Sequence, residues 1–148
     1  MISPEMLRRF SCFSPIRAES LKALAMLSRE ECVPAGRQLF ATGDPADALS
    51  LIVDGEVNIQ YTLGTGELRI VDTLVAGEIL GWPALVEPYR ITCIATTCKP
   101  THLIWIEAKG LRELCEQDPL LGYRLMTEVI TILTERLEAT RAQLATSE

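Results

Sequence analysis

The sequence contains one histidine, His102, and its five cysteines include no Cys-x-x-Cys pair. A jelly-roll metalloenzyme normally collects several histidines and a carboxylate around a divalent ion, and one histidine cannot form that site. A Ser-His-Asp or Cys-His nucleophile would need the same residue, and no G-x-G-x-x-G or Walker phosphate motif is present. We therefore predict no catalytic residue, no metal site and no enzyme activity.

Basic residues are also scarce, because 14 Lys and Arg face 20 Asp and Glu and the formal net charge is −6. Clustered Lys and Arg supply most of the non-specific affinity of proteins for nucleic acid, so this chain alone is not expected to bind it. No segment reaches the roughly 18 uncharged apolar residues of a membrane span, and the N-terminus lacks a signal-peptide pattern. We expect a soluble, cytoplasmic protein without membrane contact.

The cysteines are odd in number and scattered along the chain. They are Cys12, Cys32, Cys93, Cys98 and Cys115. This spacing indicates neither a disulfide framework nor a zinc site, so reduced thiols are the prediction.

The chain has 148 residues, of which 48% are hydrophobic, and this length suits one well-buried core. We predict a single domain, residues 1–148, with N-terminal helices in 1–30, a β region in 31–107 and helices in 108–148. Ser3-Pro4 and Ser14-Pro15 each place a capping hydroxyl before a proline, which predicts two helix starts.

Short β-rich runs broken by Gly, Pro and Asp fill the central region. They are RQLFAT, LSLIV, VNIQY, LRIVDTLV, ITCIATT and HLIWI. Asp54-Gly55 separates the second run from the third and predicts a tight hairpin, and GDPADA and GTGE predict further turns. Many short strands spaced in this way favour a closed or double-layered antiparallel structure.

The helical period returns after Ile106, first in AKGLRELCEQ and then from Pro119 to about Leu144. Two apolar lines run along the second helix. A seam contains Tyr123, Met126, Ile130, Leu133, Leu137, Thr140 and Leu144, and a neighbouring line contains Leu121, Leu125, Val129 and Ile132. One line can pack on the β region while the seam from Tyr123 to Leu137 binds a second copy of the chain. The alternative is that both lines form one wide intramolecular face.

The segment Gly77–Leu85, followed by Arg90, carries glycine turns and one returning arginine. Backbone N–H groups and a guanidinium can meet there at one point, which would attract an anion. Arginine suits phosphate because its fork donates two parallel hydrogen bonds. Pairing of Arg90 with Glu78 or Glu87 is the alternative.

Three segments resemble the cyclic-nucleotide-binding domain family, in the form of the Crp/Fnr effector domain. They are PAGRQLFATGDPADALSLIVDGEVNIQY, GEILGWPALVEPYRIT and LIWIEAKGLRELCEQDPLLGYRLMTEVITILTERL. The resemblance implies an α+β fold, an antiparallel double-stranded β-helix (β-roll or jelly roll) with N-terminal helices and a long C-terminal dimerisation helix. It also implies a phosphate-binding cassette at 77–92. The implied ligand-binding residues are Gly81, Trp82, Ala84, Leu85, Arg90, Ile91 and Thr92, with backbone donors at Gly81, Ala84, Leu85 and Ile91.

Departures from the family pattern affect the expected ligand. Nucleotide-binding members carry Gly-Glu, whose carboxylate binds the ribose hydroxyl, where this sequence has Gly81-Trp82. Arg90 stands at the position of the phosphate-binding arginine, while Ile91 and Thr92 replace a small pair. We therefore expect a ligand-sensing regulatory domain for a cyclic nucleotide or another small anionic effector, with only weak binding of cyclic AMP.

Two other functions remain open at this point. The chain can be a ligand-free dimeric protein-interaction module, with Arg90 satisfied internally. A redox or haem sensor using the cysteines is a third reading, although their spacing offers no cluster. Family transcription factors continue beyond the long helix into a helix-turn-helix domain, and this sequence stops before it. We expect a stand-alone effector form, with the effector half of a longer regulator as the alternative, and no DNA binding by this chain alone.

Overall fold

The computed structural model describes residues 2–146, so residues 1, 147 and 148 of the predicted helical segments lie outside it. The helices are α1 (Pro4–Arg8), α2 (Ala18–Met26), α3 (Ala108–Gln117) and α4 (Pro119–Thr146). The strands are β1 (Ser28–Val33), β2 (Gln38–Phe40), β3 (Ala48–Asp54), β4 (Glu56–Thr62), β5 (Leu68–Val75), β6 (Ile79–Leu80), β7 (Ile94–Thr97) and β8 (Thr101–Glu107). A short 3-10 helix, Trp82–Leu85, follows β6.

The strands form two four-stranded antiparallel sheets, with orders β1-β8-β3-β6 and β2-β7-β4-β5. Apolar side chains between the sheets, including Ile52, Val57 and Leu103, are fully buried. A second apolar cluster joins the first sheet to the helices through Leu21, Leu24 and other residues. Each such buried side chain contributes about 1.5–3 kcal/mol relative to exposure. The predicted α+β fold, an antiparallel β-roll with helices at both ends, is confirmed.

The predicted hairpin at Asp54-Gly55 is wrong, because β3 and β4 belong to different sheets. Gly55, with φ +111°, instead turns the chain from one sheet to the other. A Cβ atom at Gly55 would collide with Oγ1 of Thr101 and lie 2.8 Å from the carbonyl oxygen of Pro100. The hairpin lies later, between β4 and β5, where the N–H of Leu63 donates to the carbonyl of Glu67 at 2.7 Å. Local turn signals do not reveal which strand comes next in the sheet.

The first predicted helix start is confirmed, because the Ser3 hydroxyl accepts a hydrogen bond from the N–H of Glu5. The second is wrong, because α2 begins at Ala18 rather than after Ser14. Phe13 and Ile16 are both buried in the core, so the chain around Pro15 follows their packing instead of the capping signal.

The boundary between helices and β region also differs from the prediction. β1 begins at Ser28, inside the segment 1–30, because it pairs along its whole length with β8, from Ser28 opposite Ile106 to Val33 opposite Thr101.

The two apolar lines of α4 separate as predicted. Leu121, Leu125 and Val129 are buried against the domain, whereas Tyr123 and Ile130 are 68% and 59% exposed. The alternative of one wide intramolecular face therefore does not describe α4. None of the helices within residues 2–146 has the length and apolar character needed to cross a membrane.

Asp118 fixes the start of α4. Its carboxylate accepts a hydrogen bond from the buried hydroxyl of Ser20 on α2 and one from the N–H of Leu121, and the Arg17 guanidinium lies 3.5 Å away. The hydrogen bond from Ser20 first, then that from Leu121 and the charge of Arg17, hold the pKa of Asp118 below its ordinary value despite burial. One carboxylate thus joins α2, the end of α3 and α4.

Candidate functional site

A narrow cavity lies inside the β-roll next to α4, and the space in it that a water-sized sphere can occupy is about 40 Å³. Its lining comes from the strands, from the turn after β6, from the segment before β7 and from one residue of α4. The lining residues are Phe40, Ile59, Tyr61, Leu74, Ile79, Leu80, Gly81, Trp82, Pro83, Ile91, Thr92, Cys93 and Arg136. Its largely apolar lining is that of small-molecule sites, but its volume holds only a few water molecules, so a larger guest has to widen it.

The turn after β6 shapes one wall of the cavity. β6 pairs with β3, and Gly81 then adopts a left-handed conformation with φ +76°. A Cβ atom at Gly81 would lie 3.2 Å from the carbonyl oxygen of Ala48, so glycine allows this close approach. Trp82 begins the 3-10 helix directly after this turn, with Pro83 second, and the Trp82 side chain lies half-buried at the cavity.

Four of the seven predicted ligand-binding residues line this cavity, namely Gly81, Trp82, Ile91 and Thr92. Ala84 is fully buried outside it, and Leu85 packs half-buried against the core formed with the helices.

Two of the predicted backbone donors are used by the fold itself. The N–H of Ala84 donates to the carbonyl of Gly81 at 3.0 Å, and the N–H of Ile91 donates to the carbonyl of Asp44 at 2.9 Å. Neither group is therefore free to bind an anion in this conformation.

Arg90 does not line the cavity. Its side chain is exposed, and its one hydrogen bond runs from Nη1 to the carbonyl of Gly43 at 3.5 Å. Neighbouring residues of an extended segment point to opposite sides, and the buried side chain of Ile91 takes the inward direction. Within residues 2–146, Arg90 also forms no ion pair with Glu78 or Glu87.

The hollow that Arg90 does line is a separate, open one near the start of α3, with Lys109 and Arg112. There the Arg112 guanidinium stacks on the Tyr89 ring, 4.0 Å from its centroid, and donates to the carbonyl of Ala84 at 2.7 Å.

Arg136 is the charged cavity residue, and the sequence analysis did not predict it. It lies on α4 four residues after Ile132, so a charged residue takes the next position of the line formed by Leu121, Leu125, Val129 and Ile132. Periodicity alone does not show that this position reaches a cavity of the β-roll. Its Nε atom lies 2.9 Å from Oδ2 of Asp72 on β5. The cavity and the groove between β5 and α4 both include Arg136 in their lining.

Four of the five cysteines, Cys12, Cys93, Cys98 and Cys115, have raised thiol pKa values. Burial raises the pKa of Cys93 in the cavity, and the charge of Arg136 opposes this only in part. Burial also raises the pKa of Cys12 to about 12 and that of Cys115 to about 11. Reactive cysteines have lowered pKa values, so these contacts do not favour the redox alternative.

No group of three or more His, Cys, Asp or Glu side chains in the described part of the chain is placed to hold a metal ion. The Nε2 atom of His102 instead lies 2.7 Å from a carboxylate oxygen of Glu30 on the neighbouring strand.

The fold agrees with the comparison with known proteins. The family model of the cyclic nucleotide-binding domain matches residues 30–118, and the chain belongs to this family of regulatory binding domains. A solved structure from Geobacter metallireducens GS-15, named for cyclic nucleotide binding, is 35% identical with a TM-score of 0.81. That similarity covers 93% of this chain and 99% of the Geobacter chain.

Curated relatives extend the comparison to longer proteins. A CRP-like cAMP-activated global transcriptional regulator of Mycobacterium tuberculosis is 25% identical over 141 residues, which are 95% of this chain and 61% of the regulator. This chain therefore spans about three fifths of that relative. Glutaminase 1 of Bradyrhizobium diazoefficiens is 31% identical over 130 residues, 86% of this chain but 20% of the enzyme.

Proposed function

We propose that this chain is an effector-sensing domain that takes a small molecule into the β-roll cavity and passes the signal to α4. The observation that carries the proposal is the composition of the cavity wall. The cassette contributes Gly81, Trp82, Ile91 and Thr92, and α4 contributes Arg136. A single guest therefore contacts the binding cassette and the long helix at once.

The signal follows from differential binding. A guest that contacts both the cassette and α4 binds more tightly to one arrangement of these two elements than to the other. It shifts the equilibrium between the two arrangements only by the difference between its affinities for them. The seam of α4, with Tyr123, Met126, Ile130 and Leu137 exposed and Leu133 half-buried, is the surface that we propose for a homodimer. An effector that moves α4 would then change the dimer. We propose a role in signalling or transcription regulation by analogy with the relatives, and one domain across residues 1–148.

Cyclic AMP is proposed to bind weakly. Trp82 replaces the expected ribose-binding glutamate, and the loss of one charged hydrogen bond costs roughly 1.5–3 kcal/mol, about a ten- to hundredfold loss of affinity. The outward position of Arg90 also favours weak binding of the phosphate.

Isothermal titration calorimetry with cyclic AMP tests this specificity, and a dissociation constant below about 1 μM would contradict it. Thermal denaturation with a panel of cyclic nucleotides and small organic anions tests the sensor function. A ligand at a hundred times its dissociation constant should add about 2.7 kcal/mol to the free energy of unfolding. Arg90→Ala, in the outer hollow, serves as a control that should leave this stabilisation intact.

A ligand-free dimeric interaction module is the second candidate. The exposed apolar seam of α4 favours it, because large exposed apolar surfaces mark interaction sites. A panel in which no compound raises the melting temperature, combined with a dimer in solution, would support this candidate over the sensor.

A further inference from the structure

One buried polar atom in the cavity region has no partner. The Nη2 atom of Arg136 is shielded from solvent and donates to no acceptor, and among the side-chain nitrogens and oxygens of residues 2–146 it is the one buried atom without a hydrogen-bond partner. The Nε atom of the same guanidinium is held by Asp72. An unpaired buried donor is unfavourable, so a guest that supplies an acceptor there gains a hydrogen bond that the empty cavity lacks.

The surroundings define what kind of acceptor fits. Asp72 offsets the charge of Arg136 from the groove side and is not part of the cavity lining, and no described Asp or Glu lines the cavity. The guest therefore does not need to bring a full negative charge to this point. Phe40, Tyr61 and Trp82 contribute aromatic surface to the wall, which favours a flat guest.

The family is named for binding cyclic nucleotides. In a cyclic nucleotide, the flat and uncharged end that suits these contacts is the base. We propose that Arg136 recognises the 6-oxo group of a purine and makes this site prefer cyclic GMP and cyclic IMP over cyclic AMP. This inference rests on the proposed effector function. Guanine presents acceptors at O6 and N7, to which arginine donates well, whereas adenine presents an amino donor at the 6-position. A donor facing the Nη2 donor leaves both unsatisfied.

Calorimetry on the full chain with cyclic GMP, cyclic IMP and cyclic AMP tests the proposal. We expect both 6-oxo nucleotides to bind roughly ten-fold or more tightly than cyclic AMP. Cyclic IMP lacks the 2-amino group of cyclic GMP, so agreement between the two assigns the preference to the 6-position.

Arg136→Met should bring the three affinities together, and Arg136→Lys should retain only part of the preference because lysine lacks the planar fork. Arg141→Met on the exposed part of α4 is the matched control and should keep the wild-type ratio. The ratio of affinities is informative because a purely structural role would weaken all three nucleotides alike.

The outcomes separate this inference from the proposed function. Equal binding of the three nucleotides, or a preference that survives Arg136→Met, overturns the role of Arg136 and leaves the sensor function standing. Absence of binding for all three overturns this inference, and stabilisation by another compound of the thermal panel would then still support a sensor. Absence of binding together with a panel without effect overturns both.

Discussion

Replacing Asp118 with asparagine should lower the free energy of unfolding at pH 7 by about 1–2 kcal/mol. Asparagine keeps the shape of the side chain and remains a good N-cap for α4, so the loss comes from the charge. Hydrogen bonds to a charged group are worth about 1.5–3 kcal/mol against about 1 kcal/mol for neutral ones, and Asp118 accepts from Ser20 and Leu121. For a domain of this size the melting temperature should fall by roughly 2–8 °C.

The pH dependence gives the sharper test. The hydrogen bond from Ser20 is the main reason why the pKa of Asp118 lies below its ordinary value of 3.8 in the folded protein. A lowered folded-state pKa contributes stability that is fully present above the unfolded-state pKa and is lost as the pH falls through the folded-state pKa. Asparagine does not titrate at this position. The gap between wild type and Asp118→Asn should therefore stay constant from pH 7 to about pH 4.5 and narrow below about pH 4.

Urea denaturation followed by circular dichroism, at one protein concentration and a series of pH values, measures this gap. Asp44→Asn is a useful comparison, because Asp44 accepts a backbone hydrogen bond from Ala41 but lies on the exposed surface. A gap for Asp118→Asn that is the same at pH 3 as at pH 7, or that closes as the pH rises, would refute the reasoning.

Two further changes test the sheet crossing and the helix seam. Gly66→Ala should cost about 1–2 kcal/mol from its positive φ alone, while Gly55→Ala, where the new Cβ would collide with Thr101, should cost about 1–3 kcal/mol more. If both variants lose the same free energy of unfolding in urea denaturation, the turn at Gly55 tolerates a Cβ atom. Ile130→Glu should convert the proposed dimer to a monomer in sedimentation velocity, whereas Thr131→Glu beside the seam should leave the dimer intact. A wild-type chain that stays monomeric at roughly 100 μM would contradict the dimer.

The candidate site was predicted only in part. The pattern of glycines and the proline identified the turn at Gly81 and placed Trp82 beside the cavity, since both depend on local backbone geometry. The direction of Arg90 was not predictable in the same way. It depends on which side chain of the segment 90–91 is buried in the core. The Ile91 side chain is buried there, so the Arg90 side chain points outward.

Periodicity and composition determined the features of this protein that are local in the chain. The two lines of α4, the strand at Leu68–Val75, the cap at Ser3 and the β-rich centre all follow from residue spacing and turn chemistry. The resemblance to cyclic nucleotide-binding domains added the architecture in which these elements are arranged, a β-roll with helices at both ends.

Only the tertiary structure decided which sheet each strand joins and which side chains meet across the chain. Asp54-Gly55 is a typical hairpin-turn sequence, yet Gly55 links two sheets. The strands on either side of it, β3 and β4, pair with β8 and β7, which lie far along the sequence. Arg136 reaches the cavity because α4 packs back against a roll whose residues precede it by more than forty positions. Contacts at such separations depend on the packing of the whole core, which no local pattern encodes.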